Sequence, residues 1–191
     1  MKIAVLAVQG AFIEHEKKLE TLGAECFELR QKKDLDTEFD GLVLPGGEST
    51  VQGKLLRELD MFDALKEKIE SGMPVLGTCA GLILLADQLT NDGHVYFGTL
   101  PVSVRRNAYG RQLGSFRTVQ EFAGIGEVPM TFIRAPYIEE AKAGTQVLAE
   151  VDGHIVAVRS KNQFGMSFHP ELDADNRIHE LFLKTVEAWK G

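Results

Sequence analysis

Short apolar runs alternate with amphipathic segments along the first half of the chain. Residues 3–8 form a continuous apolar run that ends at Gln9-Gly10, and residues 41–45 form another that ends at Gly46-Gly47. Such runs are typical of strands that are buried on both faces. Because strands that alternate with helices favour right-handed crossover connections, the pattern predicts a mostly parallel sheet with helices on both faces.

The same periodicities predict the other elements of this half. Residues 26–29 and 74–78 are predicted to be strands, and residues 12–22 and 55–69 show helical spacing of apolar positions. The C-terminal segment is predicted to be a helix that packs on the core through one apolar stripe. This stripe consists of Ile178, Leu181, Phe182, Val186 and Trp189.

After residue 93 the pattern changes to short strand-like runs without a long helix before the C-terminus. The strongest local signal is Asp152-Gly153 between two apolar runs, which predicts a β-hairpin. We therefore expect an antiparallel extension of the sheet in the second half. The further predicted strands are residues 99–104, 116–119, 130–133 and 164–168.

Composition narrows the class of protein. The chain has 191 residues with 44% hydrophobic residues, so we expect residues 1–191 to form one globular domain. Its 28 acidic and 21 basic side chains give a net charge of −7, which would repel a nucleic-acid backbone. No apolar run approaches the roughly 20 residues that cross a bilayer. We expect a cytoplasmic protein with no membrane or nucleic-acid partner, whose Cys26 and Cys79 are reduced.

A candidate nucleophile, Cys79, lies between a predicted strand and a predicted helix. Gly77, Ala80 and Gly81 surround it, and small residues on both sides of a nucleophile permit the sharp turn of a nucleophile elbow. At a helix N-terminus the dipole favours the thiolate, and the Ala80 amide is free to bind an oxyanion. The alternative is a small buried cysteine in a glycine-rich turn.

A nucleophilic thiol needs a base, and His169 is the best candidate. If the chain is extended there, His169 and Glu171 lie on the same face, so that Glu171 can orient the imidazole. The imidazole would take the thiol proton and later protonate the leaving group. No Cys and His residues have metal-ligand spacing, so no metal is predicted. The remaining histidines, interpreted as surface or hydrogen-bonded core residues, are His15, His94, His154 and His179.

A second glycine-rich segment, at residues 44–50, also follows a predicted strand. Gly46 and Gly47 can expose backbone N–H groups and supply a second oxyanion donor. A phosphate-binding loop is disfavoured because neither common phosphate-binding glycine pattern is present. The segment is also compatible with a tight turn in which Ser49 or Thr50 caps the next helix.

These features together resemble the class I (triad) glutamine amidotransferases, whose fold is a flavodoxin-like α/β three-layer sandwich. The flanking motifs are similar, more narrowly, to those of the glutaminase subunits of pyridoxal 5'-phosphate synthase. The motifs are VQGA at residues 8–11, LPGGEST at 44–50, GTCAGL at 77–82, RN at 106–107, GRQ at 110–112, FIRAP at 132–136 and SFHPE at 167–171.

The resemblance implies an enzyme that hydrolyses L-glutamine to L-glutamate and ammonia without a cofactor. It implies a triad of Cys79, His169 and Glu171, and an oxyanion hole formed by the amides of Gly47 and Ala80. An arginine suits the α-carboxylate of glutamine and an acidic side chain suits its α-ammonium, but the sequence does not decide which arginine binds. Arg105 and Arg111 are interpreted as surface charges. The residues implied to bind substrate are Gly46, Gly47, Glu48, Ser49, Arg106, Ile133 and Arg134.

A partner is also implied, because ammonia released into neutral water is protonated and loses its nucleophilicity. The resemblance implies a separate pyridoxal 5'-phosphate synthase subunit that accepts the ammonia in a hetero-oligomer and activates the glutaminase by docking. The chain itself is too short for an additional eight-stranded barrel.

Two alternatives remain, a glutaminase that serves another biosynthetic synthase and a non-catalytic redox or chaperone-like protein of the same fold. A cysteine esterase of the α/β-hydrolase type is disfavoured, because in that fold the acid precedes the histidine, whereas His169 here precedes Glu171.

Overall fold

The computed structural model describes residues 1–106 and 114–190. The strands are β1 (Lys2–Leu6), β2 (Glu25–Leu29), β3 (Gly41–Leu44), β4 (Val75–Thr78), β5 (Ala86–Leu89), β6 (Leu100–Arg105), β7 (Ser115–Phe122), β8 (Gly126–Ile133), β9 (Tyr137–Ala141), β10 (Gln146–Val151), β11 (His154–Ser160) and β12 (Gln163–Met166). The helices are α1 (Phe12–Thr21), α2 (Ser49–Glu58), α3 (Phe62–Glu70), α4 (Ala80–Leu85) and α5 (Arg177–Lys190), with short 3-10 helices at Lys32–Asp36 and Pro170–Leu172.

The centre of the molecule is a parallel sheet. Its strand order is β2, β1, β3, β4 and β12, and every neighbouring pair in this series is parallel. The alternating pattern of the first half predicts this arrangement, and the prediction is confirmed. Beyond β12 the sheet continues through β11, β9, β6 and β5, and β10 pairs with β11.

Helices cover both faces of the central strands. In β1, Ile3 and Val5 belong to a hydrophobic cluster that includes residues of α1 and α5. The intervening Ala4 and Leu6 belong to a second cluster that includes residues of α2, α3 and α4. Because strand side chains alternate between faces, a continuous apolar strand requires this double cover. The predicted layers of helix, sheet and helix are therefore confirmed.

The second half contains the expected antiparallel extension. β10 and β11 form the predicted hairpin, with Asp152 at φ 51° and Gly153 at φ 79° in its two-residue turn. Positive φ at both turn positions is typical of the turns that match strand twist. β7 and β8 form a separate antiparallel pair, and its Phe122, Met130 and Phe132 join the cluster that includes residues of α1 and α5.

Two strands are absent from the sequence-based prediction. β5 has the sequence Ala-Asp-Gln-Leu, which contains neither a β-branched nor an aromatic residue. β9 has consecutive glutamates within Tyr-Ile-Glu-Glu-Ala, so its apolar alternation is weak. Both strands form because they pair with β6, one on each side. Tertiary pairing therefore overrides weak local propensity here.

The apolar stripe of α5 is buried except at its end. Ile178, Phe182 and Val186 are buried and Leu181 packs against the same cluster, as predicted. The prediction is wrong for Trp189, which is 40% exposed. It lies in the last turn of α5 beside Gly72, which has no side chain to cover it. Within the described residues, no helix combines the length and the apolar character needed to span a bilayer.

Candidate active site

The candidate site lies where three adjacent parallel strands end. Gly46-Gly47 follows β3, Cys79 follows β4, and His169 follows β12. Because β3, β4 and β12 are neighbours in the sheet, their carboxyl ends converge at one edge, where open α/β sheets bind ligands. One pocket at this edge is lined by Gly47, Cys79 and His169 among others.

Cys79 forms the turn between β4 and α4. Its backbone has φ 50° and ψ −103°, a conformation that residues other than glycine rarely adopt. A Cβ atom on Gly81 would lie 1.9 Å from the Leu44 carbonyl oxygen, and one on Gly77 would lie 2.8 Å from the Gly81 backbone. The glycines of the motif are therefore required by close backbone packing. The strained turn is the geometry of a nucleophile elbow.

The structure brings Cys79, His169 and Glu171 together. His169 Nδ1 lies 2.6 Å from Glu171 Oε1, and the ring lines the same pocket as Cys79. Because Glu171 occupies Nδ1, Nε2 is the ring atom that is available to Cys79. Burial lowers the pKa of His169, but the hydrogen bonds from its ring to Cys79 and Glu171 outweigh burial and raise this pKa to about 10. The ring is therefore an imidazolium at neutral pH.

The backbone between His169 and Glu171 differs from the prediction. An extended segment is predicted for both residues, whereas Pro170–Leu172 is a 3-10 helix with His169 as its N-cap. Proline fixes φ near the helical value and suits the first position of such a turn. The two side chains meet because the turn folds Glu171 back under His169, and not because strand side chains alternate.

The carboxylate of Glu171 is buried and contacts a residue that the motifs do not include. Burial raises the pKa of Glu171, but His15 and His169 outweigh this effect and hold it below its ordinary value. Glu171 Oε2 lies 3.3 Å from Nε2 of His15, which is fully buried. The interpretation of His15 as a hydrogen-bonded core residue is confirmed, but its contact with Glu171 was missed. The helical spacing does indicate burial, since His15 shares the buried face of α1 with Leu19, four residues later, but it does not indicate which residue His15 contacts.

The glycine-rich loop after β3 packs directly on the triad. A Cβ atom on Gly46 would lie 2.4 Å from His169 Cε1. Gln9, which is not among the predicted site residues, lines the pocket, and its Oε1 accepts a hydrogen bond from the Glu48 amide at 2.8 Å. A Cβ atom on Gly47 would lie 2.4 Å from the same Oε1. Both positions therefore require glycine for steric reasons, and the hydrogen bond to Gln9 holds the loop in place.

The possible helix cap in this loop is different from the expected one. α2 begins at Ser49, and its N-cap is Glu48, whose side chain makes no capping hydrogen bond. Ser49 therefore lies inside the helix and does not cap it, and Thr50 follows it in the first turn. The Ser49 hydroxyl is buried at the pocket and has no hydrogen-bond partner among the described residues. It is thus available to a ligand.

Most of the residues implied to bind substrate surround the same pocket. Gly46 is the exception, because it contacts His169 and is not part of the lining. Ala80 is the buried first residue of α4, so its amide has no acceptor within the helix. The residues that line the pocket as expected are Gly47, Glu48, Ser49, Arg106, Ile133 and Arg134.

The two candidate arginines differ in their surroundings. The Arg106 guanidinium donates to Asp92 Oδ2 at 2.7 Å and to Thr50 Oγ1 at 3.1 Å, so protein contacts fix its position. Arg134 is exposed and has φ 43°, at the end of β8. Arg105 pairs with Glu139 on the surface, as expected of a surface charge. The motif residues at 107 and 110–112, including Arg111, lie outside the described residues.

Comparison with known proteins places the whole arrangement in one family. The model of the SNO glutamine amidotransferase family matches residues 5–188. The chain belongs to this family. A relative from Desulfitobacterium hafniense (strain Y51), named pyridoxal 5'-phosphate synthase subunit PdxT, is 65% identical over 191 residues, covering 100% of this chain and 96% of the relative. A relative of the same name from Methanocorpusculum labreanum is 54% identical over 186 residues, covering 97% of this chain and 98% of the relative.

A solved structure extends the comparison to the fold of the family. It is described as a crystal structure of glutamine amidotransferase, and it is 41% identical to this chain with a TM-score of 0.92. The alignment covers 97% of this chain and 98% of that chain. The expected flavodoxin-like fold of the class I glutamine amidotransferases is therefore confirmed. Membership in the SNO glutamine amidotransferase family also confirms the resemblance that the sequence motifs indicate.

Proposed function

We propose that this chain is the glutaminase subunit of a pyridoxal 5'-phosphate synthase. It hydrolyses L-glutamine to L-glutamate and ammonia, and a separate synthase subunit uses the ammonia. The observation that carries this proposal is the convergence of Cys79 and the hydrogen-bonded pair His169 and Glu171 at one pocket of a family member. The names of the relatives support the assignment to the vitamin B6 pathway over another biosynthetic synthase.

The first half of the reaction forms a thioester. The Cys79 sulfur attacks the side-chain amide carbon of glutamine, and the carbonyl electrons move onto its oxygen. The imidazolium of His169 then donates its Nε2 proton to the amide nitrogen, which leaves as ammonia. The positively charged His169 ring carries the proton that the leaving group needs.

The second half of the reaction returns the enzyme to its starting state. The neutral imidazole of His169 removes a proton from water, and the resulting hydroxide attacks the thioester carbon. The carbon–sulfur bond breaks, glutamate leaves and Cys79 regains its thiolate. Glu171 accepts the Nδ1–H of His169 throughout, so it fixes the ring orientation and stabilises the charged form.

Both tetrahedral intermediates need hydrogen-bond donors for their oxyanion. We assign this role to the amides of Gly47, in the loop after β3, and of Ala80, at the start of α4 after the adjacent strand β4. For the substrate α-carboxylate we assign Arg106, because Asp92 and Thr50 hold its guanidinium at the pocket.

The remaining substrate contacts follow from the charges of glutamine. Glu48 is assigned to the α-ammonium, and Ser49, Ile133 and Arg134 complete the binding site around it. Ser49 offers a buried hydroxyl without a protein partner. No cofactor enters any step of this scheme.

The ammonia needs a protected route to its acceptor. We propose a hetero-oligomer with the synthase subunit in the cytoplasm, in which docking reshapes the loop that carries Gly47 and activates the glutaminase. The hydrogen bond from the Glu48 amide to Gln9 supports this idea, since it links the loop to the neighbouring strand end after β1.

Glutamate release in the presence and absence of a synthase subunit from the same genome tests the proposal. We expect release to rise strongly when the subunit is added, and acid-quenched samples to carry a γ-glutamyl group on the peptide that contains Cys79. No glutamine hydrolysis under either condition would contradict the glutaminase assignment. Equal turnover under both conditions would contradict activation by docking, and activation only by the synthase of another pathway would contradict the vitamin B6 assignment.

A further inference from the structure

A buried polar cluster lies behind the triad, on the side of Glu171 that faces away from the pocket. It consists of His15 on α1, Thr78 at the end of β4, His179 on α5 and Glu171 itself, and we call it the histidine cluster. His15 Nδ1 lies 3.0 Å from His179 Nε2, and His15 Nε2 lies 3.1 Å from Thr78 Oγ1. The relative exposure of both histidines is 0%. The proposed reaction does not use them.

Burial keeps both histidine rings neutral at pH 7. Desolvation lowers the pKa of His15, with Glu171 opposing it, and it also lowers the pKa of His179 well below its ordinary value. The charged and titratable groups that face these rings are Glu171 and His169 from the 3-10 helix and the preceding residue, and Glu14 and Lys18 from α1. Each neutral ring therefore carries one proton, on one of its two nitrogens.

The position of each proton follows from the unpaired atom at the end of the cluster. His179 Nδ1 is buried and has no hydrogen-bond partner among the described residues. A proton on His179 Nδ1 would require His15 to donate from its own Nδ1, and the bare Nε2 of His15 would then face the Glu171 carboxylate at 3.3 Å with no proton between the two acceptors. The proton of His179 therefore belongs on Nε2, which donates to His15 Nδ1. The proton of His15 must then lie on Nε2.

This assignment directs an N–H group at the triad carboxylate. Glu171 Oε1 accepts from His169, but its buried Oε2 has no hydrogen bond of standard geometry among the described residues. His15 Nε2 lies 3.3 Å from Oε2 and 3.1 Å from Thr78 Oγ1, so its N–H group is within reach of both oxygens. A buried carboxylate oxygen needs such a donor. Contacts of this kind in free enzymes often shorten when charge develops during the reaction.

We propose that His15 is a positioning residue for the triad, held in the correct tautomer by His179. His15 donates to Oε2 of Glu171 and thereby fixes the carboxylate that orients His169. This inference rests on the proposed glutaminase reaction. Neither histidine touches substrate, so their effect must pass through Glu171.

The kinetic test compares two substitutions of His15 in the complex with the synthase subunit. His15→Leu removes the donor, and His15→Gln keeps an amide N–H that can reach Oε2. For His15→Leu we expect kcat to fall about 10-fold, with KM for glutamine within about twofold of the original value. We expect His15→Gln to recover kcat to within about threefold. Thr185→Val, which removes a buried hydroxyl that bonds within α5 to Leu181, is the matched control and should leave kcat unchanged.

The spectroscopic test reads the tautomers directly and does not depend on activity. In protein with ¹⁵N-labelled histidine, long-range ¹H–¹⁵N spectra distinguish protonated from bare ring nitrogens. We expect the proton on Nε2 for both His15 and His179. A proton on Nδ1 of His15, or an unchanged kcat in a folded His15→Leu protein, would overturn the inference. If wild-type protein with the expected tautomers fails to hydrolyse glutamine, the proposed function is wrong, and with it the role of His15.

Discussion

The two sides of the His169 and Glu171 pair are built differently. On the pocket side, Cys79 and Ser49 lie at a cavity that is open to solvent, and the Ser49 hydroxyl has no partner among the described residues. On the core side, His15 is fully enclosed and contacts other protein groups through both ring nitrogens. The pocket side leaves polar groups available for a ligand, whereas the core side uses its polar groups to hold the carboxylate. The pair therefore depends on enclosed protein contacts on the core side as well as on reactive groups on the pocket side.

The largest expected effect comes from removing the nucleophile on the pocket side. Cys79→Ala removes the nucleophile, so we expect glutamate release to fall on the order of 10⁴-fold or more, with the fold and synthase binding intact. Steady-state glutamate formation measures the rate, and co-purification with the synthase subunit measures binding. A Cys79→Ala protein that releases glutamate at the original rate would show that the nucleophile is another group.

The next expected effects separate the base from the group that orients it. His169→Asn removes the proton carrier and is expected to reduce kcat by about 10²- to 10⁴-fold. Glu171→Ala leaves the imidazole in place without its partner, so we expect a smaller loss, of roughly 10²-fold. Both are measured as kcat for glutamine in the complex. A greater loss for Glu171→Ala than for His169→Asn would mean that the carboxylate has a role beyond orientation.

A single methyl group at Gly46 is expected to displace the base without removing it. Its Cβ atom would lie 2.4 Å from His169 Cε1, so the ring must move by a substantial fraction of an ångström. Misplacement of a catalytic group by about 1 Å costs up to roughly 10²-fold in rate, which is the loss we expect for Gly46→Ala. Gly93→Ala is the matched control, because a Cβ atom there meets nothing within 4 Å. Comparable kcat values for the two variants would contradict the steric account.

The smallest expected effect concerns the histidines on the core side and is measured as a change in the free energy of unfolding. The folded protein holds the pKa values of His15 and His179 below 6.5, so the unfolded chain binds more protons as pH falls through 6.5. Glu171 has a lowered pKa, so its contribution is also lost towards acid pH. We therefore expect the free energy of unfolding to fall below about pH 6.5, with a slope of up to roughly 1.4 kcal/mol per pH unit for each histidine.

Urea unfolding between about pH 7 and about pH 5 measures this slope. In His179→Phe one of the titrating rings is gone, and the slope should be shallower than in the original protein. Thr185→Val, which removes a buried hydroxyl but no titratable group, serves as the control and should keep the original slope. Identical slopes for all three proteins would show that His179 does not remain neutral on folding.

The same contrast explains how much could be predicted from the sequence. The pocket side was predictable because close packing forces particular residue types into short motifs, as Gly81 against the Leu44 carbonyl illustrates. The core side was not, because His15 and His179 meet only when α1 and α5 pack on the same face of the sheet. A histidine within an amphipathic helix gives no local signal of its partner. For the same reason β9 was missed, since it depends on pairing with distant strands.

The contact between Gly81 and Leu44 also fixes the spacing of the two amides that we propose as oxyanion donors, those of Gly47 and Ala80. Leu44 is the last residue of β3, just before the loop that carries Gly47, and Gly81 follows Ala80 in α4. No side chain separates these two segments, so the main chains themselves set the span between the donors. Substitutions elsewhere in the pocket can therefore change which amide is accepted while leaving the machinery for its cleavage at the same dimensions.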